Sequence, residues 1–175
     1  LSNNDGCAIA RSNEAKRLGI KMGAPYHQIK DLCQKNRVSV FSSNYELYGD
    51  MSRRVVSILM RFAPEYEVYS IDESFLSLEQ IHDPVRTAKE MRETVLKWTG
   101  IPISIGIGPT KTLAKMANRM AKKQDAGYLM LKESENSLIS SIRVSDVWGI
   151  GRKIEERLKR LKILTAMDLI NAPAP

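Results

Sequence analysis

The sequence predicts an α+β fold, a mixed or antiparallel sheet with helices on one face. Short β-prone runs alternate with helical ones between Asn44 and Leu131, in the order α, β, β, α, β, α, β. After Lys132 the β-prone runs stop and only three short helical segments follow, up to Asn171. The composition, 43% hydrophobic and 27% charged, is that of a globular protein. At 175 residues a core needs no disulfide staple.

Asn3-Asn4-Asp5-Gly6 is a turn cluster that predicts a tight hairpin between Leu1-Ser2 and Cys7-Ala8-Ile9. Residues 12–18 read as a short helix stopped by Gly19, and a second short helix follows Pro25. Val38–Phe41 reads as a strand. Asn44 caps a longer helix whose apolar residues Leu47, Met51, Val55, Ile58 and Phe62 recur every three or four positions. Glu67–Ile71 and Ser74–Leu78 are β-prone runs on either side of Asp72-Glu73, a hairpin pattern. Asp83–Trp98 is helical, Ile103–Ile107 a strand, Lys111–Lys122 helical and Tyr128–Leu131 a last strand. The Ala-Pro-Ala-Pro ending reads as a stop or the start of a linker.

No apolar run approaches the ~18 residues that a transmembrane helix needs, and no secretory pattern opens the chain. The opening at Leu1, in what reads as mid-strand, predicts a piece of something longer. Cys7 and Cys33 lack metal-ligand spacing and cannot form a disulfide framework, which points to a reducing, cytoplasmic setting. The net charge is +7, unevenly spread. Residues 1–44 hold seven Lys/Arg against three acids, residues 45–99 seven against ten, and residues 100–131 five against one. Basic segments flanking an acidic middle suit a chain that binds a polyanion through acid-held metal ions; surface basicity for solubility is the alternative.

Three constellations bear chemistry. In Tyr69-Ser70-Ile71-Asp72-Glu73 two acids adjoin, and adjacent strand residues face opposite ways, so one site can use both only where the strand bends. Two carboxylates there suit divalent cations, which prefer oxygen ligands; two solvated acids at a hairpin tip are the alternative. Gly106-Ile107-Gly108-Pro109-Thr110-Lys111 is not a P-loop, because Thr110 stands where that motif needs glycine. The helix it opens carries Lys111, Lys115, Arg119, Lys122 and Lys123 at helical spacing, a basic stripe or a solvated face. Gly149-Ile150-Gly151 opens a helix beginning Arg152-Lys153, and such a turn offers backbone N–H groups and a positive dipole end to a phosphate. It resembles the hairpin of a helix-hairpin-helix motif, although short Gly-x-Gly turns are also purely structural. His27 and His82 are isolated, and the methionines sit at core-like positions.

Joined in order, residues 2–7, 14–16, 42–48, 69–73, 110–115 and 146–151 resemble Y-family translesion DNA polymerases. The similarity is to their UmuC (ImpB/MucB/SamB) branch, which includes the catalytic subunit of DNA polymerase V. The resemblance implies fingers at 1–44, palm at 45–131 and an all-helical, helix-hairpin-helix thumb at 132–175. It implies catalytic and metal-binding roles for Asp72 and Glu73, with two Mg²⁺ ions in the full-length protein. Cys7, Ile9 and Gly23 match a small-residue roof over the nascent base pair, and Lys16 and Lys122 match cations that grip the incoming triphosphate. Asn13 and Lys16 stand where many members have tyrosine and arginine, and lysine lacks arginine's bidentate grip. Lys111, Lys115, Gly149, Gly151, Arg152 and Lys153 are the implied DNA contacts.

The implied partners are primer-template DNA, damaged DNA included, and dNTPs, with no membrane. A processed accessory subunit and a recombinase filament are also implied. The family's first palm strand, with a further metal-binding aspartate, and its little-finger domain have no counterpart in residues 1–175. The resemblance therefore implies error-prone synthesis by the longer protein, with residues 1–175 alone inactive and weak in metal. The alternatives are a palm-type nucleotide cyclase, which carries a glycine pair where Ser70-Ile71 stands, and a non-catalytic helix-hairpin-helix DNA-repair module.

Overall fold

In the computed structural model, which describes residues 1–173, contacts divide the chain into a unit of residues 1–50 and another from Met51 onward. The expected stop at Ala-Pro-Ala-Pro runs into residues 174–175, outside the described residues.

The first unit begins with the predicted turn, and the Ser2 N–H donates to the Cys7 carbonyl at 2.8 Å. The expected hairpin is reduced to this one closing bond, with no strand ladder beyond it. Gly23, at φ +76°, turns the chain back so that Ala8 exchanges backbone hydrogen bonds with Gly23 and Ala24, and Cys7 bridges Pro25 instead. Helix α1 (Asn13–Arg17) is capped by Ser12, whose hydroxyl accepts from the Ala15 N–H, and Gly19 follows it at φ +85°. Helix α2 (Tyr26–Lys35) starts after Pro25. Ala8, Ala15, Ile20 and Cys33 are buried together, with Leu1, Tyr26, Ile29, Leu32 and Val38 packed against them. The strand expected over Val38–Phe41 is absent: Val38 turns in to this core, its N–H on the Cys33 carbonyl, while Phe41 is 76% exposed. Helix α3 (Tyr45–Leu59) begins at Asn44, whose side chain accepts from the Leu47 N–H at 3.0 Å. It crosses the boundary between the units.

In the second unit, β1 (Tyr66–Ser70) and β2 (Glu73–Leu76) form an antiparallel pair. Helix α4 (Pro84–Thr99) is capped by Asp83 and ended by Gly100 in the left-handed region. Strand β3 (Ile105–Ile107) pairs in parallel with β4 (Tyr128–Met130), and helix α5 (Lys111–Ala121) connects them. Among the described residues these are two separate two-stranded sheets. After β4 come α6 (Asn136–Ser141), a 3₁₀ turn at Val144–Asp146, α7 (Arg152–Arg160) and α8 (Ala166–Ile170). A capping box at Thr165 and Asp168 starts α8. The N–H groups of Leu164 and Thr165 hold the Asp168 carboxyl below its usual range. Met116 and Ala117 of α5 share a core with Leu131, Ile139, Ile142, Val147 and Ala166, so residues 45–131 and 132–173 are joined by buried apolar packing.

The glycines before α5 have a packing role. A Cβ on Gly106 would lie 2.1 Å from both the Ala114 carbonyl oxygen and the Asn118 nitrogen, and one on Gly108 would lie 2.8 Å from the Ala114 nitrogen. The helix backbone therefore rests directly on the strand, and the Asn118 amide reaches the Ser104 carbonyl at 2.6 Å. Gly106→Ala is expected to destabilise the protein by about 3 kcal/mol or more, read as a lowered denaturation midpoint, because the obstructing atoms are backbone.

Candidate active site and nucleic-acid interface

The acid pair sits where β1 turns into β2. Val68 lies opposite Ser74 and Ser70 opposite Glu73, so two steps along β1 answer one along β2 and Tyr69 is the extra, bulged residue. The bend that the acid pair demands is this bulge together with the Ile71-Asp72 turn. The two carboxylates have different surroundings. Asp72 is exposed on the turn and accepts a hydrogen bond from the Ser70 hydroxyl at 2.8 Å. Glu73, the first residue of β2, is half-buried, and its Oε1 lies 2.5 Å from Lys115 Nζ.

Helix α5 supplies the opposing charge. Lys111 and Lys115 are one turn apart on one face; Lys111 pairs with Glu67 and Lys115 with Glu73. The predicted stripe is thus no bare cationic face. A turn further on, Arg119 pairs with Asp146 at 2.5 Å, while Lys122, which caps the helix end, and Lys123 are exposed.

Three rings complete the arrangement. Tyr69 meets Phe75 at 5.8 Å and Trp148 at 5.3 Å between centroids, and Phe75 meets Trp148 at 5.7 Å. Lys115 Nζ is 5.5 Å from the Tyr69 ring centre and 5.7 Å from that of Trp148, while Lys111 Nζ is 5.1 Å from that of Phe75. Sequence reading does not single out Glu67, Phe75 or Trp148. A signal was available: Glu67 and Tyr69, and Glu73 and Phe75, are two apart on their strands, opposite lysines four apart on a helix.

Trp148 leads directly into the glycine turn. Gly149 has φ +89°, Gly151 is the N-cap residue of α7, and neither has an atom within 4 Å of where a Cβ would be. No side chain caps α7, so its first N–H groups face an open approach beside Arg152 and Lys153. Arg152 pairs with Glu156 at 3.2 Å. On the same helix, the Lys159 ammonium, 2.8 Å from Glu155, holds that carboxyl below its usual range.

The remaining predicted site residues belong to the first unit. Hydrogen bonding between Ala8 and Gly23 and the Cys7–Pro25 bridge bring the segment of Cys7 and Ala8 alongside that of Gly23 to Pro25. Cys7 donates its N–H to Asp5 Oδ1 at 2.9 Å; burial, then Asp5, pushes its thiol pKa up. Ile9 is 44% exposed, and Asn13 Oδ1 lies 3.5 Å from Lys16 Nζ at the start of α1.

Among the described residues no group of three or more His, Cys, Asp or Glu side chains could hold a metal ion. Asp72 and Glu73 fit Mg²⁺ in donor type, as adjacent carboxylates on a bent strand pair, and supply part of an octahedral set.

Comparison with known proteins gives the class first. The chain superimposes on the Dbh ternary complex with a TM-score of 0.81, covering 99% of this chain and 52% of that one at 23% identity, so the fold is that of Dbh DNA polymerase. Residues 1–119 match the impB/mucB/samB family and residues 132–163 match the helix-hairpin-helix motif of the same family. The chain belongs to the impB/mucB/samB family. Protein UmuC of Salmonella typhimurium is 48% identical over 97% of this chain and 42% of the relative. DNA polymerase IV of Picrophilus torridus is 32% identical over 94% of this chain and 47% of the relative. The chain thus spans less than half the length of these curated relatives. No helix among the described residues is long and apolar enough to cross a membrane.

The aromatic cluster yields a measurable coupling. In a double-mutant cycle of Tyr69→Leu and Trp148→Leu, the two substitutions are expected to interact by about 0.5–1.5 kcal/mol in denaturant unfolding. Simple additivity would show that the edge-on contact contributes nothing.

Proposed function

We propose that this chain is the fingers (1–44), palm (45–131) and thumb (132–175) of an error-prone translesion DNA polymerase. In this reading the longer protein transfers nucleotides from dNTPs to a primer 3′-hydroxyl, directed by a template that includes damaged bases. The observation that carries it is the acid pair on a bulged hairpin braced by the α5 lysines. Membership of a family with DNA polymerase IV among this chain's relatives supports it.

Asp72 and Glu73 would hold Mg²⁺, Asp72 from the exposed turn and Glu73 through the carboxylate oxygen not facing Lys115. When bound, the ions lower the pKa of the attacking hydroxyl and neutralise charge on the phosphates. Cys7, Ile9 and Gly23 would cover the nascent base pair with little bulk, leaving room for distorted template bases. Lys16, beside Asn13, and Lys122 would grip the triphosphate. Gly149, Gly151, Arg152 and Lys153 would hold a DNA phosphate through backbone N–H groups and charge. Lys111 and Lys115 would contact DNA with the ammonium donors not used by Glu67 and Glu73, or by exchanging those partners. Similarity to UmuC makes a processed accessory subunit and a recombinase filament the expected partners, in the cytoplasm.

Two variants of the longer protein test this. Asp72→Ala is expected to reduce primer extension with Mg²⁺ and dNTPs to background without changing the melting temperature; undiminished extension would overturn the assignment. Lys153→Ala is expected to weaken DNA binding equally on unrelated sequences and to lower the salt slope by roughly one or less. A loss confined to one sequence would count against a phosphate contact.

A further inference from the structure

Lys115 holds an unusual place for a surface lysine. Its side chain and that of Glu73 are 22% and 37% exposed, against 49% and 52% for Lys111 and Glu67. Its ammonium lies 2.5 Å from Glu73 Oε1, and two rings stand at cation–π distance on the side of the hairpin that Trp148 covers. One of those rings belongs to the segment entering the glycine turn, 33 positions further along the chain. Glu73 is therefore charge-compensated before any cation arrives.

We propose that Lys115 is the resident counter-cation of Glu73, a positioning residue held by the Tyr69 and Trp148 rings, with which a divalent cation at the acid pair must compete. The proposal rests on the reading of Asp72 and Glu73 as a cation-binding pair, and gives Lys115 a role other than phosphate contact. A cation that shares the Glu73 carboxylate with an ammonium sits within several ångströms of a like charge, in surroundings partly shielded from water. That repulsion lowers cation affinity, and the rings oppose the lysine's withdrawal. Trp148 ties this balance to the helix-hairpin-helix turn, so a displacement of the turn loosens Lys115 and changes cation affinity at the hairpin.

The test is direct Mn²⁺ binding to the longer protein in the absence of DNA and nucleotide, followed by electron paramagnetic resonance of the free ion. Lys115→Met is expected to tighten binding by roughly three- to tenfold, the effect of removing one unit charge at this range in a partly solvated site. Lys115→Arg retains the charge and is expected to stay within about twofold of the parent. Trp148→Leu is expected to tighten binding by a smaller factor, and to add nothing in the Lys115→Met background. Unchanged or weaker Mn²⁺ binding by Lys115→Met would overturn the proposal, as would a Trp148→Leu effect that persists without the lysine. Lys115→Gln replaces the methionine variant if that one does not fold by circular dichroism. Glu73→Gln separates the two levels. If it leaves Mn²⁺ binding intact, the reading of the acid pair fails; if it weakens binding while Lys115→Met has no effect, only the counter-cation role fails.

Discussion

The seating of helix α5 on strand β3 is the contact on which the second unit depends. Because Gly106 and Gly108 have no side chains, the helix backbone lies closer to the strand than any Cβ would allow. Two consequences follow from one helix fixed in this way. Its buried residues Met116 and Ala117 join the core formed with the helices after residue 132. Another face carries Lys111 and Lys115 to the acids of the β1–β2 hairpin. Shifting α5 by the width of a methyl group would disturb the core and the acid site together.

The distribution of charge along the chain is resolved by the same contact. Ten acids in residues 45–99 and a nearly unopposed set of cations in residues 100–131 read, as sequence, like separate surfaces for metal and polyanion. In the fold, part of each neutralises the other through Lys111–Glu67 and Lys115–Glu73, and Arg119 is matched by Asp146 from the next segment. Exposed ion pairs of this kind contribute little to stability. Their effect is on what remains: exposed Lys122 and Lys123 at one end of α5, and exposed Lys153 at the glycine turn.

Local signals in the sequence were legible where they were self-contained. Asn44 caps its helix as its sequence predicts, and Ser12, Asp83 and Thr110 cap theirs in the same way, because a short polar side chain reaches the N–H groups of the first turn without tertiary help. The acid pair was legible for a similar reason, since β-prone runs on both sides of two acids leave a bend as the economical solution. The strand expected at Val38–Phe41 failed because β-propensity measures fit to a neighbour: Val38 enters a helical core while Phe41 stays in solvent. The hairpin expected at residues 1–9 stops at its Ser2–Cys7 closing bond, because Ala8 exchanges its backbone hydrogen bonds with Gly23 and Ala24 from a distant segment. Trp148 was hidden for that reason too. Nothing near it in sequence says that its ring meets Tyr69 and Phe75, some 70 to 80 positions earlier.

The two adjacent acids are thus governed at different levels of structure. Asp72 takes its position from the turn and from a hydrogen bond two residues away, both local and encoded within the pentapeptide. Glu73 takes its backbone position from its pairing with Ser70, while its carboxylate meets Lys115 from a distant helix, itself flanked by the Tyr69 and Trp148 rings. An acid pair assembled in this way can keep one carboxylate constant while the other answers to the packing around it. Changes in α5 or in the segment entering the glycine turn therefore reach the acid pair through Glu73 and leave Asp72 in place. The bulged residue Tyr69, whose ring stands 5.5 Å from the Lys115 ammonium, lies only three positions before Asp72, so both environments start from one short segment.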